Sequence, residues 1–209
     1  ENLLIVNKEP YIIVHPTQKK VDKTLANAVV NYFEKTLGKT LVPRFYNRLD
    51  MNTSGLIIIA KNAYTQAFLQ DKTEVKKTYK VIASGIIEDD NFFIELPIGK
   101  VGDDLRRIEL SEENGGKSAK THIKVLERNR DKNITFLEAR LYTGRTHQIR
   151  AHLSLIGHPL VGDELYGGDM NLAKRQMLHA YKLEFQNPKT LENLKVEIEI
   201  PLDMKEVLK

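Results

Sequence analysis

Residues 44–62 read RFYNRLDMNTSGLIIIAKN. A turn-forming stretch carrying one carboxylate, Asp50, opens into the apolar run LIIIA at 56–60. No polar residue interrupts that run, which predicts a strand covered on both faces. Asp, Asn, Ser and Gly are ordinary turn residues, so Asp50 by itself reads as turn chemistry. A functional reading needs partners for the carboxylate elsewhere in the chain.

Upstream, LLIVN and YIIVH read as two short strands split by the turn signal KEP. TLANAVVNYFEKTLGK then places Leu25, Ala28, Val29, Tyr32 and Phe33 at helical spacing. Asp22 or Thr24 can cap its start and Gly38 suits its end. Downstream, residues 62–71 predict a short helix capped by Asn62. From there period-two alternation dominates, in KTYKVIAS, DLRRIEL, SAKTHIKVLE, ITFLEARLY, LHAYKLEF and KVEIEI. One interruption, TGRTHQIRAHLSLIGHP (143–159), has Ile149, Leu153 and Ile156 at helical spacing, with Gly157 and Pro159 to stop it. The pattern predicts an α+β fold, a large mixed, mostly antiparallel β-sheet with helices packed on it. No repeat or linker divides the 209 residues, so we expect one domain, 1–209.

Composition narrows the chemistry. The apolar and charged fractions, 41% and 29%, are those of a globular protein. No apolar stretch approaches the roughly 20 residues of a membrane helix, so no membrane partner is expected. The absence of cysteine excludes disulfides and thiolate catalysis, and fits a cytoplasmic enzyme. The formal charge is only +4, yet KTEVKKTYK (72–80) and KSAKTHIKVLERNRDK (117–132) are locally basic, as are Arg140, Arg145 and Arg150. Such clusters suit phosphate contacts, although basic faces also occur on proteins that bind no nucleic acid.

On the expected helix of 145–156, Thr146, His147, Arg150 and Ser154 form a polar stripe. A solvated face is the usual meaning of such a stripe, but Arg, Thr, His and Gln make directed hydrogen bonds where Lys and Glu would suffice for solvation. The six histidines show no metal-ligand spacing, and neither a P-loop nor a dinucleotide-binding glycine motif is present. No metal and no cofactor are therefore expected. What remains is carboxylate chemistry at a sugar or base carbon, with an arginine to keep the acid ionised. A lone acid argues against ordinary glycoside hydrolysis, which pairs two carboxylates.

NRLDMNTSGLIIIAKN resembles the catalytic motif of the RluA family of pseudouridine synthases, His-Arg-Leu-Asp followed by a Thr-Ser-Gly turn. The resemblance extends over nearly the whole chain. LLIVNKEPYIIVHP is similar to the family's opening strands, KKTYKVIASG to its tyrosine-bearing strand, and GKSAKTHIKVLE to its Gly-Lys-x-Ala-x-Thr strand. TGRTHQIRAHLSLIGHPLVGDELYG matches its longest signature and LHAYKLEF its closing strand. Two departures are Asn47, where the family often has His, and Glu9, inserted into the commoner Asn-Lys-Pro.

The resemblance implies isomerisation of uridine to pseudouridine in RNA, rRNA or tRNA, with no cofactor. Asp50 would be the essential carboxylate, whether it attacks the sugar, adds to the ring or removes a sugar proton. Tyr79 would stack on the base and take the carbon-5 proton, and Arg150 would ion-pair with the acid. Arg48 would enter the RNA stack when the base leaves it. Thr53, Arg145, Thr146 and His147 would join them at the substrate, with Lys76 and Lys77 as phosphate contacts. Relatives often carry an S4-type RNA-binding domain ahead of the catalytic one, and a chain opening on Glu1 leaves that open. We expect a monomer. Two other classes compete: an RNA-binding module with vestigial catalysis, and a nuclease or glycosidase. The first has no need of Asp50, Tyr79 and Arg150 together, and the second lacks the further carboxylate or metal cluster it usually needs.

Overall fold

The computed structural model describes residues 2–18 and 21–209. The first elements are β1 (Leu3–Lys8), α1 (Leu25–Leu37), β2 (Arg44–Phe45), β3 (Ser54–Ala60) and α2 (Ala63–Asp71). There follow β4 (Lys76–Ser84), β5 (Asn91–Ile94), β6 (Ile98–Gly99), β7 (Ile108–Glu109), β8 (Thr121–Asn129) and β9 (Ile134–Leu141). The chain closes with α3 (Gln148–Leu155), β10 (Leu178–Gln186), β11 (Asn193–Glu197) and α4 (Leu202–Leu208). This is the α+β class expected. Among the described residues no helix is long and apolar enough to cross a membrane.

The chain forms two compact units: the residues up to Val75 with Lys182–Ile198, and Lys76–Tyr181 with Glu199–Lys209. The passages between them fall within or beside strands, where composition carries no linker signal.

In the first unit β3 is flanked by β1 and β2, both antiparallel to it, from Leu3↔Ala60 to Lys8↔Gly55 for β1 and with Arg44↔Ala60 for β2. All seven residues of β3 are buried, and for the apolar run at 56–60 the sequence predicts this. Its Leu56 and Ile58 pack with Leu69 of α2 and with Leu183 and Phe185 of β10. Local caps decide both helices. Thr24 and Asn27 form a reciprocal capping box on α1, and Gly38 closes it in the left-handed conformation. The Asn62 side chain accepts from Thr65 N at 2.8 Å to open α2.

The expected second strand, YIIVH, does not form. Tyr11 takes a left-handed turn (φ 65°), and the carbonyls of Ile13 and Val14 accept from Leu25 N and Ala26 N at 2.9 and 3.0 Å. The segment thus satisfies the orphan amides at the start of α1 instead of a ladder.

In the second unit β4, β9, β8 and β5 pair antiparallel in that order, with a bulge at Val125/Glu127. Tyr79↔Ala139 and Ala139↔Ile123 share one face; Ile82↔Phe136 lie on the other. On the first face Thr121 bonds His152 of α3; on the second Ile82, Ile134 and Phe136 pack with Met204 and Val207 of α4. DLRRIEL is a strand only over Ile108–Glu109. The Asp104 carboxylate turns the chain there, accepting from Arg106 N at 2.8 Å and from its Nη2 at 2.7 Å.

Candidate active site

Asp50 opens a tight turn in which Thr53 N donates to Asp50 O at 3.1 Å. Three straps hold this loop. Tyr46 N donates to Ile58 O at 2.9 Å. The Asn47 amide donates through Nδ2 to Leu56 O at 3.2 Å and accepts from Ile58 N at 2.9 Å, as a peptide edge would. Asn47 therefore departs from the family pattern in a way that extends the ladder of β3. Lys8 supplies the third strap. Its side chain is buried, and its ammonium donates to Glu9 O, Ile12 O and Met51 O at 2.8, 3.1 and 2.9 Å. A buried charge survives only when its hydrogen bonds are met, and here main-chain carbonyls meet three.

Around this turn Asp50 is half-buried, Thr53 buried and Arg48 exposed. His15 edges onto the Phe45 ring, 4.7 Å between centroids. Burial, then the charge of Arg48, holds the His15 pKa below its usual value. The base of the loop is bonded to β3 and its arginine reaches solvent.

In the second unit Tyr79 is buried on β4, on the same face as Lys77. Lys76 and Lys77, expected as phosphate contacts, are both half-buried, and burial lowers the Lys77 pKa. Lys80 is engaged too, 3.2 Å from Glu138 and 4.5 Å from the Tyr181 ring centre. The second basic stretch is likewise occupied in part. Arg128 donates to Ile87 O, Glu88 O and Asp90, and Lys132 to Val207 O. Charge counted along a strand overstates free charge, because neighbouring strands bring acids and carbonyls to it.

The helix that carries Arg150 starts at Gln148, later than expected, because His147 adopts the left-handed conformation (φ 57°) as its N-cap. Thr146 and Arg145 precede it and are exposed. Buried Gln148, the glutamine of that helix, organises this turn. Its Oε1 accepts from Thr143 Oγ1 and Arg145 N at 2.8 and 2.9 Å, and its Nε2 donates to Lys120 O at 3.0 Å.

The part of the stripe that lies on α3, Arg150 and Ser154, faces protein. Arg150 Nε and Nη2 donate to Asp163 Oδ2 and Oδ1 at 2.7 and 2.8 Å. Its guanidinium lies 5.0 Å from the Tyr166 ring centre, and Ser154 Oγ donates to Tyr166 O. The Tyr166 phenol accepts from Arg107 N at 2.7 Å and sits 3.2 Å from His147 Nδ1. Burial raises its pKa. Asp163 is a carboxylate that the lone-acid reading left out: it is buried, whereas Asp50 is half-buried, and it fixes Arg150. It stood inside the quoted VGDELYG signature, with no local sign of its partner. Among the described residues no three His, Cys, Asp or Glu side chains gather as a metal-binding group.

The family model described as RNA pseudouridylate synthase matches residues 2–155. The chain is 40% identical over 207 residues to an uncharacterised RNA pseudouridine synthase of Bacillus subtilis, YhcT, covering 98% of this chain and 68% of that one. It is 34% identical over 232 residues to ribosomal large subunit pseudouridine synthase D of Haemophilus ducreyi, covering all of this chain and 67% of that protein. Among solved structures, human RNA pseudouridylate synthase domain containing 1 superposes with a TM-score of 0.73 at 26% identity, over 95% of this chain and 80% of the other. Sequence motifs, fold and relatives agree, and the chain belongs to the RluA family of RNA pseudouridylate synthases, isomerases that turn uridine in RNA into pseudouridine.

Proposed function

We propose that Asp50 is the carboxylate on which this isomerisation depends, and that the substrate is a uridine in structured ribosomal or transfer RNA. The observation that carries the assignment is the strapping of the Asp50 turn by Lys8, Asn47 and the backbone of β3. A catalytic group must be held in one geometry, and a solvated turn acid would need none of these bonds. The name of the Haemophilus relative favours large-subunit rRNA over tRNA. Work on either RNA belongs in the cytoplasm, and we take the acting species to be a monomer.

In the reaction the bond between the sugar C1′ and base N1 breaks, the ring turns, and C1′ bonds to C5. The C5 proton departs and N1 ends protonated, so nothing is oxidised and no co-reactant enters. The uridine must first leave its stack, at a cost of a few kcal/mol. Arg48, which is exposed, fills the vacated position. Tyr79 takes the base and its C5 proton, and Arg150, held by Asp163, supplies the positive charge that keeps the acid ionised. Arg145, Thr146 and His147, grouped before α3, contact the RNA. Pseudouridine mapping of ribosomal and transfer RNA from cells with and without the gene tests this. A site lost on deletion and restored by the wild-type chain, but not by Asp50→Asn, is the expected result. Identical maps would sink the proposal.

A further inference from the structure

We propose that the face of the second unit's sheet turned away from Tyr79 carries a stacking platform for a single-stranded stretch of RNA flanking the target uridine. Register places Phe93 opposite His122 and His122 opposite Arg140, and the bond from Tyr142 N to Lys120 O continues the ladder one step further. Strand alternation therefore puts these side chains on the face opposite that of Tyr79, Ala139 and Ile123. The rings touch: Phe93 and His122 are 4.7 Å apart and tilted 40°, and Phe93 and Tyr142 are 5.7 Å apart, edge to face. Phe93 and Tyr142 are each 47% exposed.

Single exposed aromatics are common on any surface, but a contiguous group with cations laid against it is a different feature. Lys120 Nζ stands 4.5 Å from the Phe93 ring centre, and the Arg140 guanidinium 4.8 Å from that of Tyr142. Exposed Lys124 is the next residue on this face of β8. Flat π-faces interleaved with cations are what a single strand needs, bases on the rings and phosphates on the charges. One acid is also present, Glu95, whose Oε1 lies 2.7 Å from Lys120 Nζ. Both groups are exposed, and such a pair holds weakly enough for a phosphate to displace the carboxylate. β5, the last strand of this unit's β4-β9-β8-β5 ladder, carries Phe93, so a strand of RNA can cross there from the opposite face.

The platform rests on the RNA reading above, and its test needs no turnover. The probe is a labelled oligouridylate of about ten nucleotides, long enough for one such groove. Phe93→Leu with Tyr142→Leu removes both stacking planes and keeps the apolar bulk. It should weaken binding about fivefold or more with the melting temperature unchanged. Glu95→Gln should tighten binding by freeing Lys120. An unaltered affinity in the double variant overturns the platform, as does a wild type that does not bind the probe. Equal weakening towards double-stranded RNA overturns it as well, since paired bases cannot stack on the rings. A wild type that makes no pseudouridine would instead sink the proposed function and leave this measurement intact.

Discussion

Arg150 and Asp163 face each other through two parallel hydrogen bonds of 2.7 and 2.8 Å, with side-chain exposures of 7% and 1%. A bidentate pair out of water fixes the plane of the guanidinium and not merely its charge. Removing one partner leaves the other charged and buried. Asp163→Asn should therefore cost about 3 kcal/mol or more of stability in denaturant unfolding. The double variant with Arg150→Met should recover part of that loss. Additive losses would show that the pair is not coupled.

Asp50→Asn should abolish isomerisation and leave folding and RNA affinity near wild type. The hydrogen bond that closes the turn comes from Thr53 N to the Asp50 main-chain oxygen, which the substitution keeps. Tritium release from RNA labelled at uridine carbon 5 measures the reaction. Substantial release by the variant would remove Asp50 from the chemistry.

Tyr79→Phe deletes one oxygen from a buried ring and keeps its stacking plane. If the hydroxyl takes the carbon-5 proton, kcat should fall about a hundredfold, the usual scale of general-base loss, while KM holds. A wild-type kcat would leave Tyr79 as packing alone.

Lys8→Met should act at a distance in sequence. Its ammonium binds Met51 O, the carbonyl next after Asp50, across 43 residues. Losing it strands three carbonyls and should destabilise the protein by about 3 kcal/mol, more than an average substitution. Below the melting temperature, kcat should still fall, because the turn is no longer pinned. A stable variant with full activity would make the strap irrelevant.

Folding itself should depend on pH through His179. Burial, then the charge of Arg175, lowers its pKa from 6.5 to about 4. Between those values the unfolded chain binds the proton that the folded one refuses, so stability falls as pH drops from about 6.5 to about 4. The full difference is roughly 3 kcal/mol at 1.36 kcal/mol per pKa unit. His179→Asn, which cannot titrate, should flatten the melting curve over this window relative to wild type. Parallel curves would place the pH sensitivity elsewhere.

What sequence alone determined were the elements whose causes are local. α1 lies where Thr24 and Gly38 bracket an amphipathic run, α2 where Asn62 caps, and β3 where residues 56–60 carry nothing a solvent face would need. The family motifs were equally legible, because each is a contiguous string around Asp50, Tyr79 or Arg150.

Tertiary structure decided the rest, where a residue's partner lies far along the chain. YIIVH has strand composition, but its carbonyls go to the start of α1. The polar stripe of α3 looks solvated until Asp163 and Tyr166 fold onto it. Gln148, at the start of that helix, bonds across to Lys120 and Thr121. Lys77 reads as a surface charge, yet it is half-buried and burial lowers its pKa. Hydrogen-bond satisfaction and desolvation depend on what is brought alongside, and period and propensity record only what each segment prefers by itself.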